Sequence, residues 1–482
     1  MKMEQENKMG TEKISSVLLK MGIPVILSMV LQAMYNIVDS MFVSRMPDTP
    51  GIPHTGELAV NALTLAFPVQ MLIIAFGIGT GVGMGAMLSR QLGEGDRKGA
   101  SRTAGNGIFL SIVIYLVFLV FAFVGIRAYL LTQSKDEVVL SMAQDYLFIC
   151  TALGMFSLLF SIFEKMLQST GKTIYSTTAQ VLGALTNIVM DPIMIYGLLG
   201  FPRLGVKGAA YATVLGQAVS FFIALILQIA KNREISINLR YWKPGIRTIG
   251  GIYSIGVSAI IMQALMSFMT YGVNIIFGQV SASAVTAYGI FYKIQQFVYF
   301  AAFGLRDSIT PLISYNYGKG SYKRVKEGVK WGMTDTTVVM IIGVVILEAR
   351  AHPLAQIFGL TAGTEHLCVL AMRIVATGFI FAGINIASQG VFQALMSGNS
   401  SLIVSFLRLL VIPLPLAYAF TLLKNAEDVM WWAFPIGEAA AAVAAVLLLK
   451  RVYRLKIEPM KNWSKQEKPA GNNPGKCPGN DR

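Results

Sequence analysis

The sequence predicts an all-α membrane protein with twelve transmembrane helices arranged in two six-helix bundles. Hydrophobic residues make up 54% of the 482 residues and charged residues only 13%, whereas a soluble domain carries about 25% charged residues. The apolar residues form long runs separated by polar loops that contain glycine or proline. An internal repeat then divides the chain into two halves of similar layout.

The apolar runs have the length that a bilayer requires, which is about 20 residues for one helix. Polar loops must separate them, because an unpaired backbone cannot face hydrocarbon. We place the spans at residues 17–44, 58–87, 104–126, 138–163, 175–200, 207–229, 250–278, 284–314, 331–347, 366–394, 401–423 and 430–450.

The longest polar interruption lies between spans six and seven, and we interpret it as the linker between two lobes. The domain boundaries follow: an N-terminal lobe at 14–231, a cytoplasmic linker at 232–249 and a C-terminal lobe at 250–455. The remaining residues, 456–482, are polar and rich in glycine, proline and asparagine. This composition predicts a disordered cytoplasmic tail.

The repeat is clearest in two loops, LSRQLGEGDRK from Leu88 and ISYNYGKGSYK from Ile313. Each half contains six spans, an even number, so the two halves share one orientation in the membrane. Parallel repeats of this kind recur in secondary transporters. The matched pairs are Ser89 with Ser314, Gly93 with Gly318, and Gly95 with Gly320.

The net charge of +15 is dispersed over loops, mostly on one side of the predicted membrane. The positive-inside rule therefore places both termini in the cytoplasm. The same dispersal disfavours nucleic acid as a partner, because such a footprint is a clustered basic face. We expect an integral protein of the bacterial cytoplasmic membrane, in contact with lipid and monomeric.

The chain lacks the residue clusters that an enzyme or a zinc centre requires. The three cysteines, Cys150, Cys368 and Cys477, are far apart and form no CxxC pair, which argues against a disulfide framework and a zinc site. The three histidines form no HxxxH or HExxH pattern. We expect neither enzymatic activity nor a cofactor.

Span one carries a carboxylate, Asp39, well inside an apolar stretch that also contains Gln32, Tyr35 and Asn36. Tyr35 and Asp39 are four residues apart and therefore share a helix face. An acid at membrane depth costs roughly 2.5–3.5 kcal/mol on the insertion scale. Such a residue is a candidate functional group.

Span five repeats this pattern, with Asn187 and Asp191 on one face and Pro192 directly after them. The proline ring removes a backbone donor and opens the helix beside the acid. At the start of span six, Ala209 and Thr213 are again four apart. The oxygen atoms of Asp39, Asn187, Asp191 and Thr213 would suit Na⁺, or protons shared between two acids.

Several motifs together resemble the multidrug and toxic compound extrusion (MATE) transporters. They are NIVDSMFVSR in span one, LSRQLGEGD with its second copy, LQSTGKT, NIVMDPIMIYG and GVKGAAYAT. The resemblance covers essentially residues 14–455. It implies a V-shaped pair of bundles around a central cavity, and export of amphipathic, often cationic compounds in exchange for H⁺ or Na⁺.

The resemblance also assigns roles to particular residues. It implies a cation or proton-coupling site in the first lobe and a bend of the first helix at Pro24. The site residues it implies are Tyr35, Asp39, Asn187, Asp191, Ala209 and Thr213.

The second lobe departs from one bacterial branch of the family, which carries acids on helices seven and ten. Here those spans offer amides, Gln263 and Asn274 in span seven and Asn385 and Gln389 in span ten. The chain therefore looks closer to the MepA-like bacterial exporters, and the resemblance does not support a second cation site.

The remaining intramembrane charges leave alternatives open. Arg306 and Asp307 are adjacent in span eight, so we expect them to point to different faces and not to neutralise each other. Either one lines the cavity or both find partners on other helices. Glu438 in span twelve poses the same question. Glu164 and Lys165 lie at a span end, where a solvated pair is the simpler expectation.

Methionine and aromatic side chains suit a cavity that accepts many apolar cations, although any single one could instead pack or face lipid. The candidate substrate-cavity residues are Gln32, Asn36, Gln263, Met266, Tyr271, Phe291, Tyr292, Arg306 and Asp307.

We therefore predict a secondary multidrug antiporter whose cargo is drugs or dyes. The alternative on the same fold is a flippase for lipid-linked or polyisoprenoid precursors. That cargo would favour a cavity rich in basic residues for its diphosphate. Apart from Arg306, the spans hold few such residues: Lys293, Arg373 and Arg408.

Overall fold

A computed structural model describes residues 7–48, 53–358 and 360–463, and within these ranges all regular structure is helical. In the described part of the chain, nine helices are long and apolar enough to cross a membrane, or up to eleven when each bent pair counts as one span. The predicted span at 284–314 lies within a further long helix, which carries Lys293, Arg306 and Asp307.

Seven of the helices described in the first lobe account for its six predicted spans. The fourth span is broken after Ala152, where its two halves meet at 46°. The helices are α1 (Ile14–Ser44), α2 (Thr55–Gly93), α3 (Arg97–Val124), α4 (Glu137–Ala152), α5 (Met155–Ser169), α6 (Thr173–Tyr196) and α7 (Val206–Lys231).

The second lobe repeats this layout, including a broken tenth span whose halves meet at 54°. Its eleventh span contains a π-helical segment, Leu407–Val411, between two short α-helices. The helices are α8 (Ile246–Gly278), α9 (Ala282–Gly318), α10 (Tyr322–Gln356), α11 (Ala362–Ala376), α12 (Phe379–Ala394), α13 (Gly398–Phe406), α14 (Pro413–Thr421) and α15 (Ala433–Val452).

The segment between the lobes is tied to the first lobe through Asn106 of α3. Its side chain accepts a hydrogen bond from the backbone N–H of Gly245 at 2.8 Å and donates one to the carbonyl of Lys243 at 3.3 Å. Helix α8 starts at Ile246, so the last residues of the predicted linker, 246–249, are helical.

The C-terminal boundary also differs from the prediction. Residues Tyr453–Ile457 form a π-helix and Met460–Trp463 a helical turn. Lys456 donates a hydrogen bond to the carbonyl of Met396 at 3.0 Å, which ties this segment to the second lobe. A disordered tail therefore cannot start at residue 456, and residues 464–482 lie outside the described part of the chain.

The buried core shows how the lobes are joined. One cluster combines Met84 and Leu88 of α2 with Ile309 of α9 and Val391 of α12, so both lobes share it. Two other clusters each belong to a single lobe: one contains Val43 and Ile73, the other Val273 and Trp431. Two bundles that share a core at one end and have separate cores elsewhere make the V-shaped, twelve-helix architecture.

The repeated loops lie at the joined end, where each contributes a glycine to the contact between lobes. A Cβ atom on Gly93 would be 1.9 Å from the carbonyl oxygen of Tyr315, and one on Gly318 would be 2.0 Å from that of Arg90. Only glycine fits at such an approach, because a real Cβ needs more than 3 Å.

Candidate functional site

Two buried carboxyl groups from different helices converge inside the first lobe. Asp39 of α1 is 9% exposed and Asp191 of α6 is 0% exposed. Their carboxyl groups are close enough to interact with each other. Ionisation of both carboxyl groups is strongly unfavourable at this separation. Either one of them holds a proton, or a cation binds between them.

Asn187 and Thr213 stand beside this pair. In the amide orientation that satisfies both of its ends, Asn187 donates to Asp191 Oδ2 at 3.3 Å and accepts from the backbone N–H of Thr213 at 3.2 Å. Ala209, one helical turn before Thr213 on α7, is fully buried. The structure thus brings side chains of α1, α6 and α7 together.

Tyr35 also lies near both acids, together with a polar group that sequence reasoning missed. Tyr146 and Cys150 of α4 and Gln70 of α2 are neighbours of one another, and the first two also lie near Asp39. A signal was present in the sequence, since Tyr146 and Cys150 are four residues apart and share a helix face.

The donor set fits a proton or a small hard cation. Among the described residues, Asp39 Oδ1 is a buried atom without a hydrogen-bond partner, and no lysine or arginine there forms an ion pair with either acid. Carboxylate, amide and hydroxyl oxygens are ligands that hard cations accept. The electrostatics thus favour binding of one positive charge.

The other candidate residues of α1 have different surroundings. Pro24 lies inside the helix, close to the point where Gly22 packs against Leu305 of the second lobe. Gln32 accepts a hydrogen bond from Gln180 of α6 at 2.5 Å. The side chain of Asn36 lies outside the part of the chain that the structure describes.

A cavity lies in the second lobe. Of the candidate substrate-cavity residues, Met266 and Tyr292 line it, and Arg408 and Glu438 give it charge. Its lining residues are Met262, Met266, Met269, Tyr292, Gln295, Tyr299, Phe303, Val375, Arg408, Leu409, Phe434 and Glu438.

The other candidates for this cavity lie elsewhere. Phe291 is 1% exposed and packs in the second-lobe core, so it does not line this cavity. Tyr271 is 67% exposed and, like Gln263, is not among the lining residues. Helix spacing alone did not distinguish these faces of α8 and α9.

Glu438 of α15 has a partner for each carboxylate oxygen. Arg408 donates to Oε1 from Nη2 at 2.7 Å and from Nε at 3.1 Å. Tyr299 donates to the same oxygen at 3.3 Å, and Asn385 donates to Oε2 at 2.7 Å. The acid is therefore held by a fixed counter-charge, in contrast to the pair in the first lobe.

Arg306 and Asp307 do neutralise each other, contrary to the prediction from their adjacent positions. The guanidinium turns back, so that its Nη2 and Nε donate to Asp307 Oδ1 at 2.8 and 3.0 Å. Lys165 donates to Oδ2 of the same acid at 2.7 Å. Lys165 is 7% exposed, so the predicted solvated pair with Glu164 is wrong. The Arg306 guanidinium still approaches the cavity region, where it contacts Met262 Sδ at 3.9 Å.

The MatE family model matches residues 24–193 and 258–419 of this chain. These two ranges cover more than half of the sequence, and each falls in one of the two lobes. The match therefore includes Asp39 of α1 and Asp191 of α6, whereas Ala209 and Thr213 of α7 lie outside it.

Two curated relatives match over nearly their whole length. The multidrug export protein MepA of Staphylococcus haemolyticus is 26% identical over 451 residues, which cover 93% of this chain and 96% of the relative. MepA of Staphylococcus aureus strain MRSA252 is 25% identical over 455 residues, with the same coverage.

Among solved structures, the fold is similar to the outward-facing conformation of a multidrug resistance MATE family transporter of the MOP superfamily. The TM-score is 0.87 at 23% sequence identity, and the match covers 96% of this chain and all of the other. At this identity the likeness concerns the fold alone.

Proposed function

Because this chain belongs to the MatE, or multidrug and toxic compound extrusion, family, we propose that it is a secondary antiporter. It exports amphipathic, often cationic compounds and takes up H⁺ or Na⁺ in exchange. The observation that carries this proposal is the pair of buried carboxyl groups, Asp39 and Asp191, beside Asn187 and Thr213 in the first lobe.

The coupling follows from the charge of this pair. One bound cation or proton satisfies the two acids, and removing it leaves like charges close together in a poorly solvated site. Cargo that carries positive charge competes with the coupling cation for the negative potential of these two acids. Each ligand shifts the equilibrium between states only by its differential affinity for them. We propose that α1 is the element that responds, by bending at Pro24, which lies inside the helix.

The driving force is sufficient for uphill export. For a neutral cargo, one elementary charge crossing 100 mV supplies about 2.3 kcal/mol, and an ion gradient adds to this. A monovalent cationic cargo exchanged one for one moves no net charge, so the ion gradient alone drives its export. If Na⁺ is the coupling ion, its ligands are oxygens of Asp39, Asn187, Asp191 and Thr213. If H⁺ couples, the two acids hold it, and Tyr35 lies beside them.

The protein resides in the bacterial cytoplasmic membrane as a monomer with both termini in the cytoplasm. The long apolar helices support the membrane location, and the distribution of lysine and arginine over the loops supports the orientation. The chemistry is transport, without a catalytic step or a cofactor. Drugs and dyes are the expected cargo, and the methionine- and aromatic-rich cavity supports this class.

The surroundings of the buried arginines give less support to a flippase for lipid-linked precursors. A diphosphate would require basic groups free to bind it. Arg306 is held by Asp307 and Arg408 by Glu438, so both already have carboxylate partners.

The proposal is tested with purified protein in liposomes under an imposed Na⁺ or pH gradient. Ethidium inside the vesicles reports export by its fluorescence. We expect export with one of the two gradients and none without either. Export that is indifferent to both gradients would overturn antiport, and transport of a lipid-linked diphosphate in place of ethidium would establish the flippase.

A further inference from the structure

Lys165 and Asp307 form a buried ion pair that joins the two lobes. Lys165 is on α5 in the first lobe and Asp307 on α9 in the second. Their charged atoms are 2.7 Å apart, and the side chains are only 8% and 5% exposed. A small cavity adjoins the pair and is lined by residues from both lobes, among them Gln168 and Thr310.

Other contacts between lobes surround this pair. Ser314 Oγ of α9 donates to the carbonyl of Ala86 of α2 at 2.7 Å. Asn316 donates to the carbonyl of Met9 at 2.9 Å. The repeated glycine loops lie at the same end. A movement that separates the lobes at this end must therefore break the Lys165–Asp307 pair.

Each member of the pair has a second partner within its own lobe. Asp307 keeps the guanidinium of Arg306, which donates to its Oδ1. Lys165 donates to Gln168 Oε1 at 2.9 Å, and Gln168 in turn donates to Glu164 Oε1 at 3.0 Å. The Gln168 amide thus bridges the Lys165 ammonium group and Glu164, the residue before Lys165.

We propose that Lys165 and Asp307 form a latch whose opening is an exchange of partners. When the lobes part, Lys165 turns to Glu164 while Asp307 stays with Arg306. Each lobe then carries one acid and one base, so neither is left with an uncompensated charge. An uncompensated buried charge is strongly unfavourable, and this arrangement avoids it in both states.

The inference rests on the proposed function only in assuming that the lobes alternate at this end. It concerns the equilibrium between two conformations, which is measurable without cargo or an ion gradient. A failure of drug export and a failure of the latch are therefore separate results.

The experiment measures distances between two spin labels by double electron–electron resonance. Labels go on Lys98→Cys of α3 and Lys326→Cys of α10, which are exposed positions in different lobes near the repeated loops. The background replaces Cys150 and Cys368 by alanine and Cys477 by serine. This background must itself be monodisperse in detergent and keep the thermal midpoint of the parent protein.

We expect Lys165→Met and Asp307→Asn to raise the ratio of long to short distances about tenfold, because a preference between two states follows the difference in their stabilisation. Glu164→Gln acts in the opposite direction and lowers the ratio, since Lys165 loses its second partner. The matched control is Lys172→Met, which removes a lysine whose carboxylate partner, Glu234 at 3.7 Å, is not in the other lobe. We expect the control to match the parent.

Unchanged distances in both Lys165→Met and Asp307→Asn would overturn the latch. A shift in those two with none in Glu164→Gln would overturn the exchange of partners. Where Lys165→Met is not monodisperse after purification, Asp307→Asn decides the result, because it keeps a side chain of the same shape.

Discussion

Ser89 and Ser314 make the same hydrogen bond in the two lobes. Each hydroxyl donates to a carbonyl eighty residues further along the chain, Ser169 at 2.8 Å and Ala394 at 3.0 Å. The second serine also donates to Ala86 of the first lobe at 2.7 Å. The internal repeat is therefore a repeat of tertiary contacts, and one copy has gained a contact between the lobes.

The glycines next to these serines lead to a first prediction. Gly93→Ala or Gly318→Ala places a Cβ about 2 Å from a carbonyl oxygen of the other lobe, which we expect to destabilise the joined end by ~1–3 kcal/mol. The spin-label distances described above should lengthen. The control is Gly289→Ala in the same helix as Gly318, where a Cβ would have no neighbour within 4 Å. Equal distances in the variants and the control would contradict the prediction.

A second prediction concerns the paired acids. Asp39→Asn and Asp191→Asn should still insert into the membrane but lose gradient-driven ethidium efflux, because an amide cannot exchange a proton or balance a cation's charge. We expect at least about a tenfold loss, which corresponds to ~1.4 kcal/mol.

The control for this loss is Asp145→Asn. That side chain is 41% exposed and pairs with Lys207 at 3.2 Å, so its neutralisation should leave efflux unchanged. Efflux that persists in both site variants would remove the paired acids from the mechanism.

Competition at the site gives a third prediction, with a readout other than transport. Binding of ethidium to the purified protein in weakly buffered detergent should release protons if H⁺ couples, and added Na⁺ should weaken binding if Na⁺ couples. Proton release is followed with a pH indicator and affinity with dye fluorescence. The double variant Asp39→Asn, Asp191→Asn should show neither effect. Dye binding that is independent of both ions in the parent protein would argue against competition.

The ion pair of the second lobe gives a fourth prediction. Glu438→Leu leaves the Arg408 guanidinium buried without its acid, which costs ~3–5 kcal/mol in comparable cases. The double variant Arg408→Leu, Glu438→Leu removes both charges and should recover most of the loss. Thermal midpoints in detergent measure both.

Removing the exposed Lys207–Asp145 pair provides the comparison for these thermal midpoints. Such exposed pairs contribute at most about 1 kcal/mol to stability, so we expect a smaller change. A single Glu438 variant as stable as the parent would show that Arg408 finds another partner.

Much of the fold could be predicted because lipid imposes simple rules. Polar loops had to separate the spans, and residues four apart had to share a helix face, which is how Asn187 and Asp191 come to lie together. The breaks in spans four and ten had a weaker signal, Gly154 and Gly378, and were not predicted. In both cases the helix resumes directly after the glycine.

Contacts made by long side chains could not be predicted. The path of the Lys165 side chain depends on how closely α5 and α9 approach, and that distance is set by packing elsewhere. Arg306 reaches its own neighbour because its side chain can fold back along the helix. Spacing rules describe where Cβ atoms point, but a guanidinium or ammonium several bonds away can meet groups on another face.

The arrangement around Arg408 shows that the buried acids of the two halves have their charge balanced in different ways. A guanidinium in the π-helical segment of the eleventh span acts as a tethered counter-ion for Glu438, one that cannot diffuse away. In the first lobe, Asp39 and Asp191 have no such tether among the described residues, so their charge has to be balanced from solution. The second half therefore carries a fixed ion pair, Arg408–Glu438. The charge state of the acids in the first half depends instead on the ions of the surrounding medium.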